Sequence, residues 1–511
     1  MGFTFLEIKM PTDYTSEGLK EKIAKEIGTL EFTHQIEKQS LDGRNSNNIH
    51  WIIRVGISSE AISTNEPFKP LKLEIPKINT NKKIVVIGSG PAGFFGAYVA
   101  KLAGFDVTII EQGPEVFKRI ADVRIFEKGG PLNERSNYAF GEGGAGTFSD
   151  GKLTCRSKHI PNERRFIFES FIKAGAPEEI LYLAKPHVGS NILTKTARNL
   201  RKEFLDIGGK WHFGTKVIDI SITNGKVTSI ETEIGKIEAD YFIFATGHSS
   251  YETYQMLLKN GVEFQLKPFA IGSRVEHYQE RINQALWRKP ELPGVKAADY
   301  ALTFNDSPLP VYSFCMCPGG MVVSAPPSNG VNIVNGMSNY KRNYPFANSA
   351  IVTALKLDDF LNRPVSPLEA LDWVTNLEKK FFEFANGFNA PSVKVSDFLK
   401  NKISTSFPET SYPFDLISAD FKELFPNEIV NSLKLALTNF TTKIKGFEDG
   451  HLMGLESRTS SPVQVLREKS GLCNGFDNLY MAGEGSGYSG GIISSAADGI
   501  KSALDIVNKN L

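Results

Sequence analysis

The sequence predicts an α/β protein: a parallel, doubly wound sheet interrupted by a second α+β domain, with a small α+β module in front. Two observations carry this prediction. Strand and helix signals alternate from Lys83 to about Ser250, which is typical of parallel strands joined by crossover helices. Residues 477–511 return to a strand, a glycine-rich turn and a helix, so the far end of the chain is expected to complete the sheet.

A chain of 511 residues is long enough for about three domains. We expect a module and linker at 1–80, a first domain at 81–261 plus 443–511, and an inserted domain at 262–442. The module is predicted to have β-α-β-β order, with elements at Phe3–Ile8, Ser16–Ile27, Phe32–Ser40 and His50–Ile57.

Prolines at positions 67, 70 and 76 mark residues 58–82 as a linker. The inserted domain is expected to begin with strands and to continue as a helical stretch from about Ala347 to Ala385. Its strands are predicted at Phe269–Val275, Tyr300–Phe304, Met321–Ala325 and Val331–Val334.

Charge and cysteine content exclude several classes of protein. The chain has 58 Lys and Arg against 57 Asp and Glu, a net charge of +1, so nucleic acid and anionic membranes are not expected as partners. Four cysteines are too few for a disulfide scaffold. No secretory signal and no apolar run of 18 residues is visible, so we expect a cytoplasmic protein with reduced thiols. The sequence leaves the oligomeric state open.

The strongest motif joins an apolar strand, Lys83–Ile87, to the turn Gly88-Ser-Gly90-Pro-Ala-Gly93 and a following helix. A second strand then ends in Glu111. In such a Rossmann-type unit the first glycine permits the tight turn, the second lets a pyrophosphate approach and the third allows close helix–strand packing. The helix N-terminus faces the phosphates and the acidic residue accepts from ribose hydroxyls. The sequence therefore predicts a dinucleotide site.

Six long motifs, and the leading segment KQSLDGR (38–44), resemble a family of FAD-dependent dehydrogenases of unassigned substrate, within the glutathione-reductase-like flavoprotein superfamily. The resemblance covers most of the chain. The motifs are IGSGPAGFFGA (87–97), FGEGGAGTFSDGKL (140–153), FAIGSRVEH (269–277), FCMCPGG (314–320), LESRTSSPV (455–463) and AGEGSGYSGGI (482–492).

The resemblance implies that FAD is the cofactor and that a small molecule is the substrate. Gly88, Gly90, Gly93 and Glu111 would hold the ADP half. The strand end at Thr246 and Gly247 and the C-terminal return at Gly483, Glu484 and Gly491 would bind the ribityl chain and the flavin. In the wider superfamily Asp is more usual than Glu484. The alternative interpretation of this C-terminal segment is a glycine loop with a cap helix. The remaining expected contacts are Pro91, Ala92, Gln112, Thr147, Val217 beside adenine, and Ile492.

Two further groups are carried over from the resemblance. Arg119 and Arg124 would reach the pyrophosphate or ribose; the alternative is a solvated basic face. Gly143, Gly144 and Gly146 would let the backbone lie against the isoalloxazine ring, since glycines this dense indicate close approach of a flat or phosphorylated group.

Cys315 and Cys317 lie in an extended pattern, where both sulfurs would share one face of a strand. They are either buried and inert, or else redox-active or in contact with the substrate. No second pair of metal-ligating residues accompanies them, so no metal site is expected. The superfamily's CxxxxC disulfide is missing, because residues 94–130 contain no cysteine.

Two carboxylate–guanidinium pairs, Arg274 with Glu276 and Glu456 with Arg458, are either structural ion pairs or an anion site. His187 and His248 are expected to be hydrogen-bonding residues. We expect His277 to be the proton acceptor and Arg458 to anchor an anionic substrate, with Cys317 as the rival reactive group.

The function that the sequence favours is hydride transfer between a small substrate, with anions among the candidates, and FAD. The alternative is a flavin-containing sensor whose N-terminal module binds a macromolecule. Because only one GxGxxG unit with its acidic residue is present, no separate nicotinamide domain is expected. The sequence identifies neither the substrate nor the electron acceptor.

Overall fold

The computed structural model describes residues 2–63, 71–155, 157 and 159–511. The N-terminal module consists of β1 (Gly2–Met10), α1 (Ser16–Ile27), β2 (Thr33–Asp42) and β3 (His50–Ser59). Its antiparallel sheet has the order β1-β3-β2, and α1 packs its Leu19 and Ile23 against Ile53 and Val55. The predicted β-α-β-β order is confirmed. The central part of the expected linker, residues 64–70, lies outside the described residues.

The first domain contains a five-stranded parallel sheet of order β21-β10-β4-β5-β6, beside a three-stranded antiparallel sheet, β7-β8-β9. The predicted Rossmann-type fold is therefore confirmed. The elements before the insertion are β4 (Lys83–Ile87), α2 (Pro91–Ala103), β5 (Asp106–Ile110), α3 (Val116–Glu127), α4 (Pro161–Lys173), α5 (Ser190–Asp206), β6 (Lys210–His212), β7 (Val217–Thr223), β8 (Lys226–Thr232), β9 (Gly235–Glu238), β10 (Tyr241–Phe244) and α6 (Tyr251–Lys259).

The middle of the chain forms an eight-stranded sheet of order β13-β14-β16-β12-β19-β17-β18, with β15 paired to β14. Its pairs are antiparallel except β17 with β18. Its elements, with β11 and β20, are β11 (Phe264–Leu266), β12 (Phe269–Tyr278), α7 (Gln279–Trp287), β13 (Thr303–Phe304), β14 (Val311–Ser324), β15 (Val334–Ser338), β16 (Phe346–Leu355), α8 (Leu357–Leu361), α9 (Pro367–Phe384), β17 (Ala390–Lys394), α10 (Val395–Leu399), β18 (Leu416–Ser418), α11 (Phe421–Leu424), α12 (Asn427–Lys443), β19 (His451–Glu456) and β20 (Val463–Val465).

The chain returns to the first sheet through β21 (Leu479–Met481) and ends in α13 (Ile492–Asn508). This return lies later than the expected boundary at 443, because β19 pairs with β12 and β17 in the middle sheet. Strands β11 and β20 pair with each other where the chain enters and leaves the middle domain.

The helical stretch expected from Ala347 begins as a strand instead. Strand β16 is a nearly continuous apolar run that pairs with β12 on one side and β14 on the other. Both of its faces are buried, so it lacks the alternation that marks a half-exposed strand. Helix formation starts only at α8, and α9 covers the second half of the stretch.

Helices α2 and α13 pack together through glycines. A Cβ atom on Gly499 would lie 1.9 Å from the Ala92 carbonyl oxygen, and one on Gly96 would lie 3.1 Å from the Gly499 carbonyl oxygen. The two backbones therefore approach more closely than any side chain would permit. Among the described residues no helix is both long and apolar enough to cross a bilayer.

We predict that Gly499→Ala destabilises the protein by about 1–3 kcal/mol, because the added methyl group forces the two helices apart. Thermal unfolding of the purified protein measures the effect. Gly43→Ala is the matched control, since a Cβ atom there would meet nothing within 4 Å. Equal midpoints for the two variants would show that the helix contact tolerates a methyl group.

Candidate functional site

A cavity of about 1130 Å³ lies at the carboxyl edge of the parallel sheet, between that edge and the middle domain. The residues that follow β4, β5, β10 and β21 line it: Gly88, Glu111, Ala245 and Ala482. Ligands of open parallel sheets bind at this edge, where helix N-termini and strand ends converge. Its opposite boundary includes Tyr312, Phe314, Cys315, Asn335 and Glu456 of the middle domain.

The turn after β4 has the geometry that its glycines predict. Gly88 has a φ of +99°, and a Cβ atom there would lie 2.4 Å from the Ala245 carbonyl oxygen. A Cβ atom on Gly93 would lie 1.9 Å from the Gly88 carbonyl oxygen, so this residue permits the close packing of α2. Helix α2 begins after Gly90, and no side chain caps it; a Cβ atom on Gly90 would meet only the Gly144 Cα, at 3.8 Å.

Glu111 connects the end of β5 to this turn. Its Oε2 accepts hydrogen bonds from the Ser89 backbone N–H at 3.0 Å and from the Ser89 hydroxyl at 2.7 Å. Its Oε1 accepts from the Gly113 backbone N–H at 2.8 Å. The carboxylate is thereby held in one orientation at the cavity, where Oε1 retains a lone pair for a ribose hydroxyl.

The glycine-rich segment 137–144 is organised by Arg119 of α3. Its fully buried guanidinium donates hydrogen bonds to five backbone carbonyl oxygens, at distances between 2.8 and 3.2 Å. They belong to Asn137, Tyr138, Gly141, Glu142 and Gly144. Arg119 is therefore committed to this segment and does not line the cavity, so the expected pyrophosphate contact is corrected to a positioning role.

Arg124 is exposed on the same helix and does not line the cavity, which agrees with the alternative of a solvated face. Gly144 lies against the start of α2, since a Cβ atom on it would be 3.0 Å from the Gly90 Cα. The segment that Arg119 holds therefore forms the cavity wall next to the helix N-terminus.

The C-terminal return forms a second helix N-terminus at the cavity. Helix α13 starts after Gly491, which has a φ of +90° and no side-chain cap. Glu484 Oε1 accepts from the Gly491 N–H at 2.7 Å, and Oε2 lies 3.2 Å from His248 Nδ1. Burial raises the pKa of Glu484, but the His248 contact and the Gly491 N–H outweigh it and hold the pKa below its ordinary value.

His248, considered only as a hydrogen-bonding residue in the sequence, lines the cavity. Its Nε2 donates to the Arg458 carbonyl oxygen at 2.7 Å. The ring therefore links the end of β10 to the C-terminal return and to the segment after β19. The only signal in the sequence was its position directly after Gly247.

Two helix N-termini give the cavity the features that FAD binding requires. The N-termini of α2 and α13, helices of 13 and 17 residues, face one cavity without side-chain caps. Such ends stabilise a pyrophosphate and the negative charge of a reduced flavin ring. The glycines leave room for both groups, so the residues present fit FAD.

Most of the predicted cofactor residues lie together. Those lining the cavity are Gly88, Gly90, Pro91, Ala92, Glu111, Gln112, Gly144, Gly146, Val217, Thr246, Gly247, Gly483, Glu484, Gly491 and Ile492. Gly143 and Thr147 line a small adjoining space of about 50 Å³. Gly93 packs beneath the turn, and Arg119 and Arg124 lie elsewhere.

His277 does not lie at the cavity. It is buried against the Phe447 ring at 4.6 Å, and its Nε2 donates to the Phe447 carbonyl oxygen at 2.8 Å. Burial lowers the pKa of His277 to about 4. The expectation that His277 accepts the substrate's proton is therefore corrected: the residue belongs to the core of the middle domain.

Neither of the two predicted ion pairs is present, because their members bind other residues. Arg274 Nε donates to Glu456 at 3.0 Å, and Glu276 instead accepts from the Thr410 hydroxyl at 2.7 Å. Arg458 lines the cavity, but its Nε and Nη2 donate to both Glu378 oxygens at 2.9 and 2.8 Å. Its bidentate edge is therefore occupied, which removes it as the expected anchor of an anionic substrate.

The cysteine that lines the cavity is Cys315, whereas Cys317 is fully buried. The regular strand expected here is interrupted, because the register of β14 against β16 shifts between Phe314 and Cys317. Cys315 has a φ of +44°, which is uncommon for a residue other than glycine. Sequence reasoning also missed Lys152, which lines the cavity and is the penultimate residue of the motif FSDGKL (148–153).

We predict that Arg119→Met weakens FAD retention by at least ~10-fold and destabilises the protein by about 2–4 kcal/mol, because five carbonyl groups lose their donor. Equilibrium dialysis and thermal unfolding measure the two effects. Arg124→Met is the matched control on the same helix and should leave both quantities unchanged. Wild-type retention in Arg119→Met would show that the glycine segment keeps its shape without the guanidinium.

Two family models match adjacent parts of the chain. The model described as pyridine nucleotide-disulphide oxidoreductase matches residues 82–269. The model described as FAD-dependent protein, C-terminal domain-like, matches residues 268–459 and so extends past β19. An uncharacterized protein of Clostridium beijerinckii (strain ATCC 51743 / NCIMB 8052) is 38% identical over 532 aligned positions, which cover 100% of this chain and 99% of that protein.

Similarity to solved structures is lower. Glycine oxidase from Bacillus cereus ATCC 14579 is 13% identical with a TM-score of 0.34, over 84% of this chain and 96% of that one. A flavoprotein/dehydrogenase from Cytophaga hutchinsonii is 13% identical with a TM-score of 0.36, over 84% and 80%.

The family assignment rests on the two models and the full-length relative. The models meet at residues 268–269, between the parallel sheet and the middle domain, and each includes residues that line the cavity, whereas the C-terminal return lies beyond both. The chain belongs to the family of FAD-dependent proteins that join a pyridine nucleotide-disulphide oxidoreductase-type domain to this C-terminal domain, and FAD is its cofactor.

Proposed function

We propose that the protein is an FAD-dependent oxidoreductase of the dehydrogenase type, which passes a hydride between a small substrate and FAD. The observation that supports this function is the shared cavity: one side is the carboxyl edge of the parallel sheet, where FAD would bind, and the other is the wall of the middle domain. A substrate held against that wall would share one enclosed space with the cofactor, as hydride transfer requires.

The first domain would hold the ADP half of FAD. The free N–H groups at the start of α2 would donate to the pyrophosphate, and the absence of a side chain at Gly90 would leave the path open. Glu111 would accept from ribose hydroxyls. Val217, half-buried at the cavity, would contact the adenine.

The C-terminal return would hold the other half. The start of α13 would direct its N–H groups and positive dipole end at the flavin, and Glu484 would keep that helix start in place through the Gly491 N–H. His248 would keep the Glu484 carboxylate oriented. When bound, FAD supplies the two-electron chemistry, while the protein positions it and the substrate.

The substrate would bind between Lys152 and the middle-domain residues Tyr312, Phe314, Cys315 and Asn335. Arg458 would shape this end rather than bind an anion, because Glu378 neutralises it and its guanidinium stacks 4.4 Å above the Tyr251 ring. The proposed substrate is therefore a small molecule that need not be an anion.

We predict that the purified protein is yellow and contains roughly one non-covalent FAD per chain, read from the flavin absorbance after denaturation. Gly90→Val should abolish FAD retention, since the isopropyl group would occupy the pyrophosphate path. Gly43→Val is the control, because its side faces open space. A colourless wild type that FAD cannot reconstitute would contradict the proposal.

An anaerobic screen of small metabolites for flavin bleaching tests the reaction itself. Rapid, stoichiometric bleaching by one class of compound supports the dehydrogenase. A bound flavin that no metabolite reduces, together with a macromolecule captured by the N-terminal module, would support the sensor instead.

We also predict slow or absent flavin reduction by NADH and NADPH. Among the described residues, the middle domain is built on a largely antiparallel sheet and contains no second strand–glycine turn–helix unit that could bind a nicotinamide dinucleotide. Anaerobic stopped-flow absorbance measures the rate. Fast reduction that saturates at micromolar NADH or NADPH would overturn this expectation.

A further inference from the structure

Cys315 is the only described cysteine that lines the main cavity. It lies on β14, in the middle-domain wall against which the proposed substrate would bind. The register of β14 shifts around Cys315 and this residue has a positive φ, so the backbone departs from regular strand geometry there. Backbone conformations of this kind are held in place by surrounding contacts and concentrate at functional sites.

Charged side chains from three other segments form a cluster beside Cys315, and all of them except the partly exposed Lys152 are buried. Lys152 lies 3.2 Å from Asp150 and donates to the Met316 carbonyl oxygen, next to Cys315 in the chain. Arg342 donates to both Asp150 oxygens, at 3.0 and 2.6 Å. Arg274 is bound to Glu456 at 3.0 Å and donates to the Cys315 carbonyl oxygen at 3.4 Å.

These groups leave one positive charge uncompensated. Lys152, Arg342 and Arg274 are three cations, while Asp150 and Glu456 are two anions. His187, packed near Asp150, adds no charge at neutral pH, because burial lowers its pKa to about 4. Buried charges are stable only when paired, so the cluster favours one more anion beside it.

The thiol of Cys315 can supply that anion. The neighbouring Cys317 thiol, together with Lys152 and Arg274, lowers the pKa of Cys315 below its ordinary value against the effect of burial. The same contact and burial raise the pKa of Cys317 well above its ordinary value, so Cys317 keeps its proton. The Cys317 S–H donates to the Cys315 carbonyl oxygen at 3.2 Å. Of the two thiols, Cys315 is therefore the more acidic.

We propose that Cys315 is the catalytic proton acceptor of the substrate end of the cavity, acting as a thiolate whose charge is balanced by Lys152 and Arg274. The proposal rests on the dehydrogenase function proposed above. It assigns to Cys315 the role that was expected of His277, and it makes Cys317 a positioning residue.

The step balances with the substrate and cofactor already named. The substrate's O–H or N–H bond breaks and an S–H bond forms on Cys315, which changes from thiolate to thiol. The electron pair left on oxygen or nitrogen forms the new double bond to carbon. The electron pair of the neighbouring C–H bond leaves with its hydrogen as a hydride, which bound FAD would accept. A proton acceptor with a pKa close to the working pH is the most effective kind.

Alkylation of the FAD-loaded protein by iodoacetamide between pH 5 and 9, with peptide mapping by mass spectrometry, tests the thiolate directly. Reaction at Cys315 should increase with pH around a midpoint well below the ordinary thiol value, because only the thiolate reacts. Lys152→Met should raise that midpoint by about one pH unit, since the anion loses a cation. Lys152→Arg should restore it, and Cys155→Ser is the control that leaves it unchanged.

With a substrate from the bleaching screen, Cys315→Ser should slow flavin reduction by about 100-fold and remove the acidic limb of its pH profile. It should still retain FAD. A Cys315 midpoint at the ordinary thiol value near 8.5, or wild-type reduction by Cys315→Ser, would overturn the proposal while leaving the dehydrogenase function intact. Failure of the wild type to be reduced by any metabolite would instead contradict the function on which the proposal rests.

Discussion

The guanidinium of Arg119 is enclosed by protein on all sides, and five backbone carbonyl oxygens take up its hydrogen bonds. Burial lowers its pKa to about 10, so the group stays charged at neutral pH. A charge in that position is stable only while segment 137–144 wraps around it. The glycine at 141 makes this possible, because a Cβ atom there would lie 2.6 Å from the Arg119 Cδ.

The cavity depends on that enclosure. Gly144, at the end of the wrapped segment, abuts Gly90 at the start of α2, and Glu142 accepts from the first N–H of α3 at 2.7 Å. The buried Arg119 guanidinium thus fixes the cavity wall at segment 137–144, and with it Glu142 and the start of α3. The middle domain also contains buried cations that connect separate elements: Arg274 connects β12 to β19, and Arg458 connects the end of β19 to α9. We expect these buried ion pairs to fix the positions of the elements more than to raise the free energy of unfolding.

The parts of the site that were predictable from the sequence are local. The glycine turn after β4, Glu111 at the end of β5 and the Gly483–Gly491 return are set by short-range backbone requirements, and short-range requirements are visible in spacing. The partners of Arg274 and Glu276 could not be predicted, because they lie on segments far away in the chain. Cys317 rather than Cys315 was expected to be the reactive thiol for a related reason: a bulge in β14 separates the two cysteines, and a bulge has no signature in a CxC spacing.

Strand β21 and helix α13 occupy the end of the chain, yet β21 is an edge of the first sheet and α13 packs across α2. During synthesis, β4, α2 and β10 emerge hundreds of residues before these two elements, and the intervening middle domain can fold first. The second half of the cofactor site is therefore absent until β21 and α13 have been synthesised. A nascent chain that ends before Leu479 lacks both elements and leaves β10 as an unpaired edge strand, which is prone to pair with other chains.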